Sequence, residues 1–103
     1  RGTEVPAFQD TYGWIAFRRG NHEEALNHLE PAAEALEGEP VVQYHLGKTY
    51  AALERASDAL ARYRRVVELV DAGDGPRPDY MATAEDEIAR LQSAVEAGSA
   101  AGN

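Results

Sequence analysis

Residues of this 103-residue chain recur at a fixed offset of 34 positions. Pro6 returns as Pro40, Gln9 as Gln43, Gly13 as Gly47, Ala25 as Ala59, Leu26 as Leu60 and Glu34 as Glu68. Large residues also replace large ones, Tyr12 by Leu46 and Leu29 by Tyr63, and the alignment needs no gap. A repeat of this length is one supersecondary unit that cannot bury its apolar face alone and must stack on a neighbour.

Within each repeat the apolar period is helical. From Val5 to Arg19, one side carries Phe8, Tyr12, Ile15 and Arg19, and the next carries Gln9, Gly13, Ala16 and Gly20. Gly20 then suits a left-handed cap and Asn21 a helix start. His22 to Leu36 reads as a second helix with Ala25, Leu26, Leu29, Ala32, Ala33 and Leu36 inward, bent at Pro31. Gly38 and Pro40 end it. Val41 to Leu53 follows, with Gln43, Leu46, Gly47, Tyr50 and Leu53 inward. Ala56 to Val70 then turns Ala59, Leu60, Tyr63, Val66, Val67 and Val70 inward. The small residues Gly47 and Ala59 mark a close helix crossing. Asp71 to Pro78 is a loop by its turn residues. Asp79 to Ala97 is a last helix, with Tyr80, Met81, Ala84, Ile88, Leu91 and Val95 at helical spacing and Glu85, Asp86, Glu87 and Arg90 on the other side. Arg1 to Glu4 reads as a frayed end and Gly98 to Asn103 as a disordered tail. The expected fold is all-α: five helices, no strand, one domain over residues 1–97.

A 34-residue helix–turn–helix unit resembles the tetratricopeptide (TPR) family, whose pattern is W-x2-L-G-x2-Y, then A-x3-F, then P. The second repeat, residues 40–73, matches through Leu46-Gly47-x2-Tyr50 and Ala59-x3-Tyr63. The first, residues 6–39, matches more loosely through Tyr12-Gly13-x2-Ala16 and Ala25-x3-Leu29. Both carry Gln where the pattern prefers Trp, and neither ends in Pro at the expected place. The run Asp10-Thr11-Tyr12-Gly13-Trp14 is similar to the opening of many bacterial TPR repeats. The resemblance spans residues 6–73 and implies antiparallel hairpins stacked as a short right-handed solenoid. Residues 79–97 then read as a capping helix, since an array needs a polar cap and about three units for stability. An opening at Arg1 rather than Met suggests that further repeats precede it in a larger bacterial protein.

Charge narrows the partners. The net charge of −8 disfavours nucleic acid and anionic membrane, both of which need basic surface. Residues 1–39 carry −5, residues 40–73 carry +1 and residues 74–103 carry −4. No apolar run approaches the length of a membrane span and no leader peptide is visible. A soluble chain is expected, with cytoplasm and periplasm both open. The absence of cysteine removes disulfides and thiol chemistry without choosing a compartment.

Catalytic patterns are poor. His22-Glu23-Glu24 opens like a zinc-protease helix, but Leu26 stands where the second His is required. His22, His28 and His45 lack a metal-ligand spacing, and Asp71, Asp74 and Asp79 lack that of a calcium loop. No enzyme, metal or cofactor is expected. Among Arg55, Arg62, Arg64 and Arg65, the four-residue spacings predict Asp58–Arg62 and Arg64–Glu68 pairs along an exposed helix face.

The resemblance implies a noncatalytic protein–protein interaction module in which the first helix of each repeat lines a concave groove for a peptide or helix. The groove candidates are Asp10, Trp14, Phe17 and Arg18 from the first repeat and Tyr44, His45 and Lys48 from the second. Aromatic surface beside basic groups has the composition of a binding hot spot. Trp14 and Phe17 equally suit packing beneath a neighbouring helix. The lysine and asparagine clamp of the chaperone-tail-binding TPR subtype is absent, because Asp10, Trp14 and His45 occupy its sites. The alternative role is purely structural, as cap of a longer solenoid or as a self-association element.

Overall fold

The computed structural model describes residues 4–101, with side chains from residue 5 to residue 98. Five helices follow one another: α1 (Glu4–Arg18), α2 (His22–Ala35), α3 (Pro40–Ala52), α4 (Ala56–Ala72) and α5 (Met81–Ala101). No strand occurs among the described residues. Each helix packs on the next, α1 on α2 and α3 on α4 most extensively, while α1 touches α3 across the two hairpins. These are stacked helical hairpins, as the 34-residue period predicts.

The repeat extends to the turns, where no sequence identity announced it. Asn21 N–H donates to the Ala16 carbonyl at 2.9 Å and Gly20 N–H to Phe17 at 2.9 Å. Thirty-four residues later, Arg55 N–H donates to Tyr50 at 2.9 Å and Glu54 N–H to Ala51 at 3.1 Å. Both sets form a Schellman cap, which needs one residue in the left-handed region. Gly20 meets that need at φ 85°, whereas Glu54 adopts φ 59° with a side chain. Asn21 occupies the cap of α2, but through its backbone: its carbonyl accepts from Ala25 at 2.9 Å and its side chain makes no capping bond. Glu23 and Glu24 favour the first turn of α2 by facing its positive dipole end. Pro40 begins α3, where its missing N–H costs nothing.

Close packing explains the glycines. A Cβ on Gly13 would lie 2.6 Å from Leu29 Cγ, and one on Gly47 would lie 3.2 Å from the Tyr63 ring. α2 runs through Pro31 on its exposed side. Two apolar clusters result. Ala16, Ala25, Leu26, Leu29, Ala32 and Ala33 pack with Val42 and Leu46, so α2 is shared with the second hairpin. Ala59, Leu60, Tyr63 and Val66 pack with Met81, Ala84 and Leu91 of α5. Buried Gln43 joins the hairpins: its Nε2 donates to the carbonyls of Ala33 (3.1 Å) and Glu37 (3.3 Å), and its Oε1 accepts from Arg62 (2.7 Å).

Several expectations are corrected. Arg62 bonds Gln43 rather than Asp58, which pairs with Arg55 at 2.8 Å. Glu68 pairs with Arg65, which also holds Glu37 at 2.6 Å, so Arg64 does not take the Glu68 carboxylate. The ion pairs are therefore spaced by three and reach between hairpins. The helix α4 continues two residues past Val70, and α5 begins at Met81 and continues through Gly98 to Ala101. The disordered tail expected from Gly98 is thus helical as far as Ala101, and its last two residues lie outside the described residues. Of the frayed start, Glu4 is helical and residues 1–3 lie outside.

Candidate functional site

Helices α1 and α3, with the start of α5, share one wall. On α1, the residues at positions 10, 14 and 17 lie on the side opposite the Phe8–Tyr12–Ile15 stripe. Trp14 stacks on Phe17 with centroids 4.9 Å apart and planes 4° from parallel, and on His45 of α3 at 4.0 Å and 17°. Asp10 fixes that imidazole: its Oδ1 accepts from His45 Nδ1 at 2.8 Å, with both side chains largely buried. Such stacks contribute ~0.5–1.5 kcal/mol each beyond area burial. They tie two helices that otherwise meet lightly.

The wall continues through Tyr44. Its ring stacks on Tyr80 at 4.7 Å and meets the buried Tyr63 edge-on at 6.0 Å. Lys48 Nζ stands 5.9 Å from the Tyr44 centroid, within range of a cation–π contact. Burial pushes the Tyr44 hydroxyl pKa up, against the opposing effect of its hydrogen bond with Thr83. Burial likewise raises Tyr80, and Tyr63 strongly. These phenols stay neutral, so the wall is apolar with hydroxyl edges.

Of the seven predicted groove residues, the structure gathers six: Asp10, Trp14, Phe17, Tyr44, His45 and Lys48. Arg18 closes α1 and is exposed, outside the stacked set. Trp14 and Phe17 are half-buried, packed sideways along the wall by each other and by His45. Sequence reasoning missed His22, whose ring lies 5.0 Å from Phe17, and Tyr80 as the far end of the row. The 34-residue offset had no signal for Tyr80, because the linker before α5 breaks the register. Of the remaining histidines, His28 lies beside Tyr12 at 6.3 Å and His45 against Trp14, and among the described residues no three His, Asp or Glu side chains are grouped to hold a metal.

A second concavity lies on the opposite side, between α2 and α4. This open cleft of about 500 Å³ has Leu46 and Ala33 at its base and Glu30, Glu34, Glu37, Asp58 and Arg62 at its rim. Tyr50 donates to Glu30 at its edge at 2.5 Å, and burial together with that carboxylate pushes the phenol up to about 12.

Helical hairpins stacked on a 34-residue period define a helical-repeat protein. The tetratricopeptide repeat family matches residues 16–76, more than half of the chain, and the chain belongs to that family. Its repeats generally mediate protein–protein interaction and are noncatalytic. None of the curated proteins matches the chain. Among the described residues, no helix is long and apolar enough to cross a membrane.

Proposed function

We propose that the chain is a noncatalytic TPR interaction module, holding a peptide or helix against the wall of α1, α3 and α5. The observation that carries this reading is the unbroken row of rings from His22 through Phe17, Trp14 and His45 to Tyr44 and Tyr80. Half-buried aromatic residues supply large, rigid contact area at low entropic cost, and they dominate binding energy at protein interfaces. Lys48 stands beside the row and suits a ligand with a carboxylate near its apolar anchors. α5 serves as the C-terminal cap, since it lays Met81, Ala84 and Leu91 on the second repeat and keeps Glu85 and Asp86 in water. The test is capture of the native partner by the immobilised chain and by a Trp14→Ala/Tyr44→Ala variant whose helicity is verified by circular dichroism. Loss of capture by the folded variant is the expected result; equal recovery would contradict the assignment of the site.

A further inference from the structure

At one edge of the aromatic wall the surface changes character. An open cleft of about 440 Å³ lies between the first half of α1 and the turn from α2 into α3, lined by Ala7, Asp10, Thr11, Leu36, Glu39 and Val42. Its apolar part is aliphatic rather than aromatic: Ala7, half-buried Leu36 and buried Val42. It adjoins the wall through Asp10, whose Oδ1 is held by His45 Nδ1 at 2.8 Å, and His45 in turn stacks on Trp14.

The charged groups of this cleft are of one sign. Thr11 Oγ1 donates to the Ala7 carbonyl at 3.1 Å, so its hydrogen is taken. Two carboxylates remain. Among the described residues, the second oxygen of Asp10 has no partner, and Glu39 joins no ion pair and makes no side-chain cap to α3. The arginines that form ion pairs, Arg55, Arg65, Arg77 and Arg90, do so elsewhere. The charge of Glu39 also reaches the wall: after burial, which acts more strongly, it raises the pKa of the Tyr80 phenol at the end of the row.

We propose that this cleft takes a lysine or arginine side chain of the ligand that lies along the wall. The inference rests on the reading of the wall as the binding surface and adds the chemistry of the partner. An aliphatic stem packs on Ala7, Leu36 and Val42 while the charged head reaches Asp10 and Glu39, as long basic side chains do on apolar surface. The two carboxylates offer charge-assisted bonds that a neutral or acidic side chain cannot use. Asp10 precedes Trp14 by one helical turn, about 6 Å. The basic residue therefore lies about two residues from the apolar anchor in an extended ligand, or one turn from it in a helix. Lys48 follows Glu39 by nine positions, roughly 13 Å along α3, and marks the opposite pole. The ligand's charges run from basic to acidic along α3.

Two probes test this. N-acetyl-arginine methylamide is titrated into the ¹⁵N-labelled chain beside its neutral counterpart, N-acetyl-norleucine methylamide. Saturable shifts at the Ala7, Thr11 and Val42 amides are expected with the arginine probe alone, and Glu39→Gln should weaken that binding severalfold. Dye-labelled Gly-Ser decapeptides with one Trp, and with Arg, Ala or Glu at one to four positions to either side of it, are then compared by fluorescence anisotropy. At one spacing the Arg peptide should bind about ten-fold tighter than the Ala peptide, and Glu39→Gln should abolish that difference while leaving the Ala peptide unaffected. Arg and Ala peptides that bind alike, an Arg advantage that survives Glu39→Gln, or arginine shifts centred on Glu30 and Glu34 of the other cleft would overturn the inference. Arginine binding at Asp10 and Glu39 with no gain from any Trp would instead refute the wall as the binding surface.

Discussion

Adding a single methyl group at Gly13 and at Gly47 separates the two helix crossings. Gly→Ala in a helix interior gains about 1 kcal/mol in propensity at either site. Overpacking a filled core costs about 1–3 kcal/mol. At Gly13 the new methyl would meet Leu29 Cγ at 2.6 Å, Leu29 Cδ2 at 2.9 Å and the Ala25 carbonyl at 3.2 Å. Leu29 is fully buried and a branch carbon cannot swing aside, so the cost lies at the top of that range. The net loss is roughly 2 kcal/mol, a fall in Tm of about 8–16 °C for a domain of this size. At Gly47 the contacts are the Tyr63 ring edge at 3.2 and 3.3 Å and Arg62 Cβ at 3.4 Å. A retreat of a few tenths of an ångström relieves them, and the propensity gain offsets the cost to within about 1 kcal/mol. Thermal melts followed by circular dichroism give both numbers. A Gly13→Ala protein as stable as the parent, or a Gly47→Ala protein that falls as far, would refute the packing account.

Three further perturbations probe the turns, the buried amide and the phenols. Glu54→Gly should raise stability by up to about 1 kcal/mol by releasing a left-handed residue, and Gly20→Ala should lower it by about 1 kcal/mol; opposite signs in urea melts are the check. Gln43→Leu strands Arg62 and the carbonyls of Ala33 and Glu37, and should cost roughly 2–3 kcal/mol in the same assay. The Tyr50 phenol is raised in the folded state, so its contribution is complete below about pH 10 and is lost as pH rises towards about 12. Tyr50→Phe should flatten the alkaline limb of the Tm–pH curve, whereas an unchanged limb would assign that loss to other tyrosines.

Much of the architecture is legible in the residues because a repeat reports itself twice. The pairing of Gly13 with Gly47 and of Ala25 with Ala59 fixed the register, and helical periodicity then placed the inward residues of α2 and α4. The ends were less legible. α5 runs on to Ala101 because Ala and Ser continue a helix at little cost, which an apolar stripe cannot report. The ion pairs differ because Glu37, remote in sequence, competes for Arg65, and Gln43 competes for Arg62. On the aromatic wall, residue type indicated Asp10, Trp14, Phe17, Tyr44, His45 and Lys48, but neither His22 nor Tyr80 at its two ends. That Asp10 locks His45 against Trp14 depends on how α1 leans on α3, and local spacing carries no record of that angle.

The central claim is that the wall of α1, α3 and α5 is the binding surface. A peptide selected by display against the immobilised chain, titrated into ¹⁵N-labelled protein and followed by NMR, tests it most directly. The account predicts the largest shifts at the Trp14 indole N–H and at the amides around Phe17, Tyr44, Lys48 and Tyr80, with little change along α2 beyond His22. Shifts centred on the acidic cleft between α2 and α4, or failure of any peptide to be selected, would contradict it.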